Sequence, residues 1–430
     1  MASPARRLPE TGVGDLLRLG LTLAGAALRH PRTFTVREPL RQWARAIAAR
    51  HGSEDFVVRI GPKRLVFVGS PALSTAVLDA EPCEAGISVG DAKRSGMSFL
   101  APQALTIAHD EQWCRLRAFN EDVLEPGRPH DDEAAFLVAV RRAFDGRIAD
   151  EHDIRAAMGR TMIAVVFGAN TTPASLAKDV EVLFDYVQSP LKRALLAPLG
   201  ARRLERFRGE LRKAYDSSLA PSLVARASQS ARPVSAAERL DQVPHWMFTF
   251  IRSGTDLLVR TLALVCAHPE ARQRARAELA ANGPADDVAR VHRLTFLNAC
   301  VREAAYLYPS VTRSFHRARD GAVEAGIAIP AGVDIAHSFP PIGLGEARPK
   351  RFDPARWLAA GGGPADFDPF MTGPRRCPGR ELITFVCTAA LAEMLERHDL
   401  VLAGAPLVPN ALPTEFPRRG IQFRTSGGSG

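Results

Sequence analysis

The chemistry in this chain gathers around one cysteine. Phe370-Met-Thr-Gly373-Pro-Arg375-Arg-Cys377-Pro-Gly379 reads F-x-x-G-x-R-x-C-x-G, and a long apolar segment, Arg380–Arg397, follows at once. Such a loop suits a thiolate that ligates iron in a flat macrocycle. Glycines at 373 and 379 let the backbone turn sharply and pass close to a planar group. The amide donors and positive dipole end at the start of the next helix favour thiolate over thiol. Arg375 can pair with an anionic group at the macrocycle edge. A lone cysteine in a Gly/Pro loop is more often structural, but five matching residues at fixed spacings weigh against that here.

The elements that must position this loop are mostly helical. The 430 residues are 46% hydrophobic and 24% charged, which is ordinary for a globular chain and excludes disorder and low complexity. The net charge of +9 comes from scattered arginines rather than a basic arm, and no aromatic-studded basic stripe suggests nucleic acid. Six cysteines without a C-x-x-C pair argue against zinc and against a disulfide scaffold, so a reducing, cytoplasmic setting is expected. The apolar run Leu19–Leu28 is about half the ~20 residues of a membrane span, and reads as an amphipathic helix.

Further along, Asp55–Gly69 reads as two strands around a G-P-K turn, and Pro71–Ala80 as a helix. Glu111–Leu124 and much of Asp132–Val187 are predicted helical. Val243–His268, from Pro244 at its start to the stop at Pro269, reads as a helix apolar nearly all round and therefore internal. Phe296–Tyr308 is another helix, and Gly326–Ile335 a hairpin region.

On these residues the sequence resembles the cytochrome P450 family, in its soluble bacterial type, from about Phe34 to Arg424. Pro349-x-x-Phe352-x-Pro354-x-Arg356-Trp357, Gly326-x-x-Ile329-Pro330-x-Gly332 and Trp113-x-x-x-Arg117 match further landmarks in the family's order. The resemblance implies a mainly α fold with a minor β-sheet region. Heme b (iron protoporphyrin IX) would lie between a long distal helix and the cysteine loop with its helix. One domain would span 34–424, after an N-terminal amphipathic segment, 1–33, and before a flexible tail, 425–430. Cys377 would be the axial iron ligand, with Phe370 and Gly379 shaping its loop. Trp113, Arg117, Arg375 and His316 would donate to the heme propionates. His316 is 13 residues beyond Glu303 and 13 before Ile329, where many bacterial members carry Arg. Phe248, Ile251, Arg252 and Leu257 would line an apolar substrate pocket.

Two motifs depart from the family. Its E-x-x-R reads Glu303-Ala-Ala-Tyr306, so the tie to Arg356 would keep a Glu303–Arg356 pair with the Tyr306 hydroxyl as a neutral partner. The distal helix carries Ser253-Gly254-Thr255-Asp256-Leu257. Gly254 and Asp256 are kept, but leucine stands where the family's threonine relays protons during dioxygen activation. Thr255 is about 200° away on a regular helix and substitutes only across a bulge.

The resemblance thus implies an oxidoreductase of secondary metabolism acting on an apolar, natural-product-like small molecule, with atypical oxygen activation. A ferredoxin and ferredoxin reductase would supply electrons near Arg376 and Arg380. Two other readings stand beside it. One is an oxygen-independent heme-thiolate enzyme: a peroxygenase, or one that cleaves an N–O or O–O bond for rearrangement, dehydration or nitrene or oxygen transfer. The other is a non-catalytic heme-binding partner protein.

Overall fold

The computed structural model describes residues 5–425 apart from 30–36, 81–86, 169–174, 284–286, 340, 342–350, 360–361, 365–366, 404–406 and 418–420. Cys83, Pro173, Pro349 and all but the first residue of the expected tail therefore lie outside the described residues. Within them the chain is mostly helical, and none of its helices is long and apolar enough to cross a membrane.

The minor sheet comes from alternating apolar residues. β1 (Phe56–Ile60) and β2 (Lys63–Val68) form the expected hairpin. β3 (Ile87–Val89) and β4 (Arg313–Ala318) pair antiparallel at the far edge of the same sheet. The short strands β5 (Ala322–Glu324) and β6 (Ile327–Ile329) make a separate hairpin. β7 (Val333–Ser338) then enters the middle of the main sheet, parallel to β2 and antiparallel to β4. The expected Gly326–Ile335 hairpin is thus two strands in different sheets. Gly332, at φ +69°, makes the turn between them. β8 (Leu400–Ala403) and β9 (Gln422–Thr425) pair near the C-terminus. The N-terminal residues are laced to the β5–β6 hairpin and to β1, with Arg6 N–H donating to Gly326 O and Thr11 N–H to Val57 O. The Val13–Arg29 helix that follows leaves Leu17 and Leu21 exposed.

The core lies among the helices. Its axis is the expected long internal helix, but that helix starts earlier and is not regular. Ser235 and Glu238 form a capping box that starts it at Ala236, and Pro244 lies inside it. A widened π-type turn, Thr249–Gly254, joins the Ala236–Phe248 and Thr255–Ala267 helices. Each half is anchored independently. Trp246 Nε1 donates to Asn120 Oδ1 at 2.8 Å, and Gln242 takes the Leu105 N–H at 2.9 Å. Beyond the turn, Arg260 donates to Tyr308 O at 2.7 Å. The extra residue in the wide turn lets both halves keep their partners.

The Thr295–Leu307 helix carries the altered E-x-x-R motif. Glu303, fully buried, pairs ionically with Arg356 Nε at 2.9 Å and accepts from Trp357 Nε1 at 2.8 Å and Asp353 N–H at 3.0 Å. The expected pair survives, but its neutral partner is the Trp357 indole. Tyr306 contributes its ring as well, with the Arg356 guanidinium 5.6 Å from the ring centre. An aromatic face thus takes over part of the role of a second guanidinium.

Removing one side of this pair leaves the other buried and unmatched. Glu303→Ala should therefore cost about 3–5 kcal/mol in denaturant unfolding. Burial raises the Glu303 carboxyl to about 7, against the pull of the Asp353 N–H, Arg356 and Trp357. The folded chain then holds a proton that the unfolded chain releases, so this group's contribution to stability falls as pH rises from about 4.5 to about 7. Glu303→Gln should flatten that part of the melting-temperature profile.

Candidate functional site

Cys377 ends a short turn, Gly373–Arg375, and sits just before the Arg380–Arg397 helix. Its N–H donates to Phe370 O at 2.8 Å, which closes the loop on itself. Gly373 has φ +59°, and a Cβ there would come 2.5 Å from Asp79 Oδ1, so only glycine fits. Burial raises the Cys377 thiol, while the Gly379 N–H and the Arg117 guanidinium pull it down. A half-buried sulfur that accepts an amide donor and lies near guanidiniums is biased toward thiolate, the form that ligates a metal cation. Cys266, Cys300 and Cys387 are free and buried, and burial pushes the Cys266 thiol up to about 12. Cys114, by contrast, is disulfide-bonded, which the cysteine count did not suggest.

Arg375 reaches from this loop into the sheet. It donates to the carbonyls of Val77, Leu78 and Ala80 at the end of the Pro71–Asp79 helix, and to Ile87 O at 2.8 Å. Beside it lie two buried histidines. His316 Nε2 is 3.0 Å from Ser314 Oγ. The His337 ring stands edge-on to His316, 4.8 Å between centroids. Burial lowers both histidines, and the Arg375 charge lowers them further. His337 Nε2 is buried without a hydrogen-bond partner, and so are both ring nitrogens of His109. Unmatched donors beside a guanidinium are what two carboxylates at a macrocycle edge require. These residues fit heme.

Arg117 joins the cluster less directly. Its Nη1 donates to Arg376 O at 2.7 Å and its Nε to Glu121, so it holds the cysteine loop. Trp113, one turn earlier, packs part-buried against the core; its backbone N–H donates to His109 O, and its indole N–H has no hydrogen bond among the described residues. Phe370 packs on the same core, and Gly379 caps the helix after Cys377.

The distal segment is partly as expected. Phe248, Ile251 and Leu257 are buried, and Phe248 stacks on Phe184 at 4.2 Å. Arg252 lies over the Phe184 ring and 3.8 Å from Asp185. A Cβ on Gly254 would meet Ile383 Cδ1 at 2.6 Å, so glycine lets this helix pack against the one after Cys377. Asp256 is turned to the surface, 3.0 Å from Arg260 and 3.8 Å from Arg155. Thr255 Oγ1 is fully buried and has no hydrogen-bond partner. The wide turn ends at Gly254, and Thr255 and Leu257 both lie in the regular helix that follows, so they stay about 200° apart.

The family model for Cytochrome P450 matches residues 257–417, which include the cysteine loop. Over 183 residues the chain is 32% identical to "Cytochrome P450 monooxygenase AKT7" of Alternaria alternata, covering 37% of this chain and 35% of that one. It is 34% identical over 175 residues to "Cytochrome P450 monooxygenase ABA2" of Pyricularia oryzae (strain Y34), covering 36% of this chain and 42% of that one. The crystal structure of a cytochrome P450 (CYP102L1) superposes with a TM-score of 0.71 at 18% identity, over 90% of this chain and 98% of the other. Residues 257–417 match the cytochrome P450 family, and the fold over most of the chain is that of a P450 structure. Its match spans well under half the length of these fungal P450 relatives. Other P450 relatives come from a fly and a plant, so the bacterial type is not reflected among them. Ser253–Asp256 lies just outside the matched stretch, which begins at Leu257.

His337, His109 and the Trp357 indole were missed as site or support residues. Only Trp357 had a signal, its place beside Arg356 in the upstream motif. The buried basic cluster predicts that Arg375→Ala and His316→Ala each lower heme retention after gel filtration, since each leaves a carboxylate short of a donor at about 1–3 kcal/mol. Retention unchanged in both variants would contradict the cluster's role.

Proposed function

We propose that this chain is a heme-thiolate oxidoreductase of the P450 monooxygenase type, using heme b with Cys377 as the axial ligand. The observation that carries this is the pinned cysteine loop, whose Arg375 lies beside the buried His316 and His337 rings, with His337 Nε2 unmatched among the described residues. Bound there, the heme would supply redox-active iron for oxygen insertion or bond cleavage. Cys377 would hold it from one side. Arg375, His316 and Trp113 would orient its carboxylates, and Arg117 would keep the loop in place. Phe248, Ile251 and Leu257 would exclude water and seat the apolar part of a small secondary metabolite.

Electrons would come from a ferredoxin and its reductase on the loop side. Arg376 and Arg380 border that side, although Arg380 is already engaged by Glu381 at 2.5 Å and Asp368 at 3.7 Å. A cytoplasmic setting belongs to the same reading. It rests on fewer free thiols than the sequence count suggested, because Cys114 is disulfide-bonded.

Proton supply decides between dioxygen and another oxidant. Leu257 cannot donate, and Asp256 is held between two guanidiniums. Thr255 supports the dioxygen reading, since an unmatched buried hydroxyl costs about 1–3 kcal/mol unless it has a use. If Thr255 is idle, a peroxide or a substrate carrying its own N–O or O–O bond is the better oxidant.

Two experiments test this. Reduced protein under carbon monoxide should show the red-shifted Soret band of thiolate ligation, and Cys377→His should lose it; a band that persists would sink the assignment. With a ferredoxin system, Thr255→Val should lower product formed per electron about tenfold, an order expected for one proton-transfer group. Coupling that is insensitive to Thr255→Val and to Leu257→Thr would favour the oxygen-independent reading.

A further inference from the structure

Leu257 leaves its face of the distal helix without a hydroxyl, because Thr255 lies about 200° round the axis. A helical side chain leans back over the preceding turn, and a threonine hydroxyl there bonds the carbonyl four residues earlier. The threonines of this segment do so. Thr249 Oγ1 donates to His245 O at 2.8 Å, and Thr261 Oγ1 to Leu257 O at 2.7 Å. A hydroxyl at position 257 would by the same rule use Ser253 O, a carbonyl of the wide turn.

That carbonyl already accepts a hydroxyl, from another part of the fold. Ser310 Oγ donates to Ser253 O at 3.2 Å, across 57 residues of sequence. Ser310 is part-buried, in the link between the Thr295–Leu307 helix and β4. Arg260 holds it there. Its Nη1 donates to Ser310 Oγ at 3.2 Å and to Tyr308 O at 2.7 Å, while its Nη2 donates to Asp256 Oδ2 at 3.0 Å. Ser253, Leu257 and Arg260 are spaced four and three apart, so they share one helix face. The Ser310 hydroxyl therefore bridges the turns before and after Leu257, on the side where the helix itself offers only a leucine.

We propose that Ser310 is the hydroxyl that passes a proton to an oxidant in the distal pocket on the Leu257 face, with Arg260 as its positioning residue. This deepens the heme-thiolate reading and rests on it. Turning about the Cβ–Oγ bond swings the O–H from Ser253 O toward the pocket. The proton leaving Oγ is replaced from water, and no electron moves in the step. A hydroxyl can both give and take a proton, whereas a guanidinium does not deprotonate. Arg260 therefore orients and polarises the hydroxyl through a charge-assisted bond, and Asp256 acts one step further back by holding Arg260.

Two readouts on the holoprotein test this. The infrared C–O stretch of the reduced carbon monoxide complex senses a donor near the bound ligand and needs no substrate. Ser310→Ala should shift it to higher frequency, and Ser310→Thr should not. In a ferredoxin system with a surrogate apolar substrate, Ser310→Ala should lower product formed per electron about tenfold or more, with the difference released as peroxide. Adding Leu257→Thr to Ser310→Ala should restore much of it, because the new hydroxyl takes over the vacated Ser253 O. A merely structural Ser310 would not be rescued from position 257. An unmoved stretch and unchanged product per electron in Ser310→Ala would overturn the proposal. So would equal losses in Ser310→Ala and Ser310→Thr, a double variant no better than Ser310→Ala, or a wild type that consumes no dioxygen. Failure of the underlying reading shows separately, as a wild type whose carbon monoxide complex lacks the thiolate band.

Discussion

Everything at this site depends on holding one half-buried sulfur still. Cys377 cannot carry charge in a dry interior without a compensating cation, and it cannot ligate a planar group unless its loop keeps one shape. The loop is pinned from several sides. The Cys377 N–H closes it onto Phe370 O, Gly373 fits against Asp79, and Arg375 ties it to the carbonyls that end the Pro71–Asp79 helix. Arg117 holds Arg376 from the opposite helix. Polar contacts of about 1 kcal/mol each are modest singly, but together they leave the thiol little freedom.

The distal side solves a register problem. The Ala236–Phe248 and Thr255–Ala267 helices each have their own polar anchors, and a regular helix would meet only one set. The wide turn at Thr249–Gly254 absorbs the mismatch. It also leaves Thr255 Oγ1 buried without a partner, while Asp256 turns to Arg260 and Arg155.

Much of this was legible from local sequence, and the misses have a common cause. The cysteine loop, the sheet's first hairpin and the helix around Glu303 depend on neighbours in the chain, so spacing reveals them. The Trp357 indole beside Glu303 sits in a motif that was recognised, but its hydrogen bond spans 54 residues. His337 faces His316 only because β7 pairs with β4, a register that no local pattern announces. The break between β6 and β7 was missed for the same reason, since sheet membership is a long-range choice. The wide turn arises from anchors at Asn120 and Tyr308 that flank the helix in space. The Cys114 disulfide likewise depends on a spatial partner that counting cysteines cannot find.

The central claim is that the Cys377 sulfur is the charge partner of a heme iron. X-ray absorption at the iron edge of the purified holoprotein tests it most directly, because it reads the ligand atom itself. The account predicts one sulfur neighbour in addition to the four macrocycle nitrogens, and its loss in Cys377→Ser. An iron shell of nitrogen and oxygen alone in the wild type, or a sulfur that survives Cys377→Ser, would contradict it.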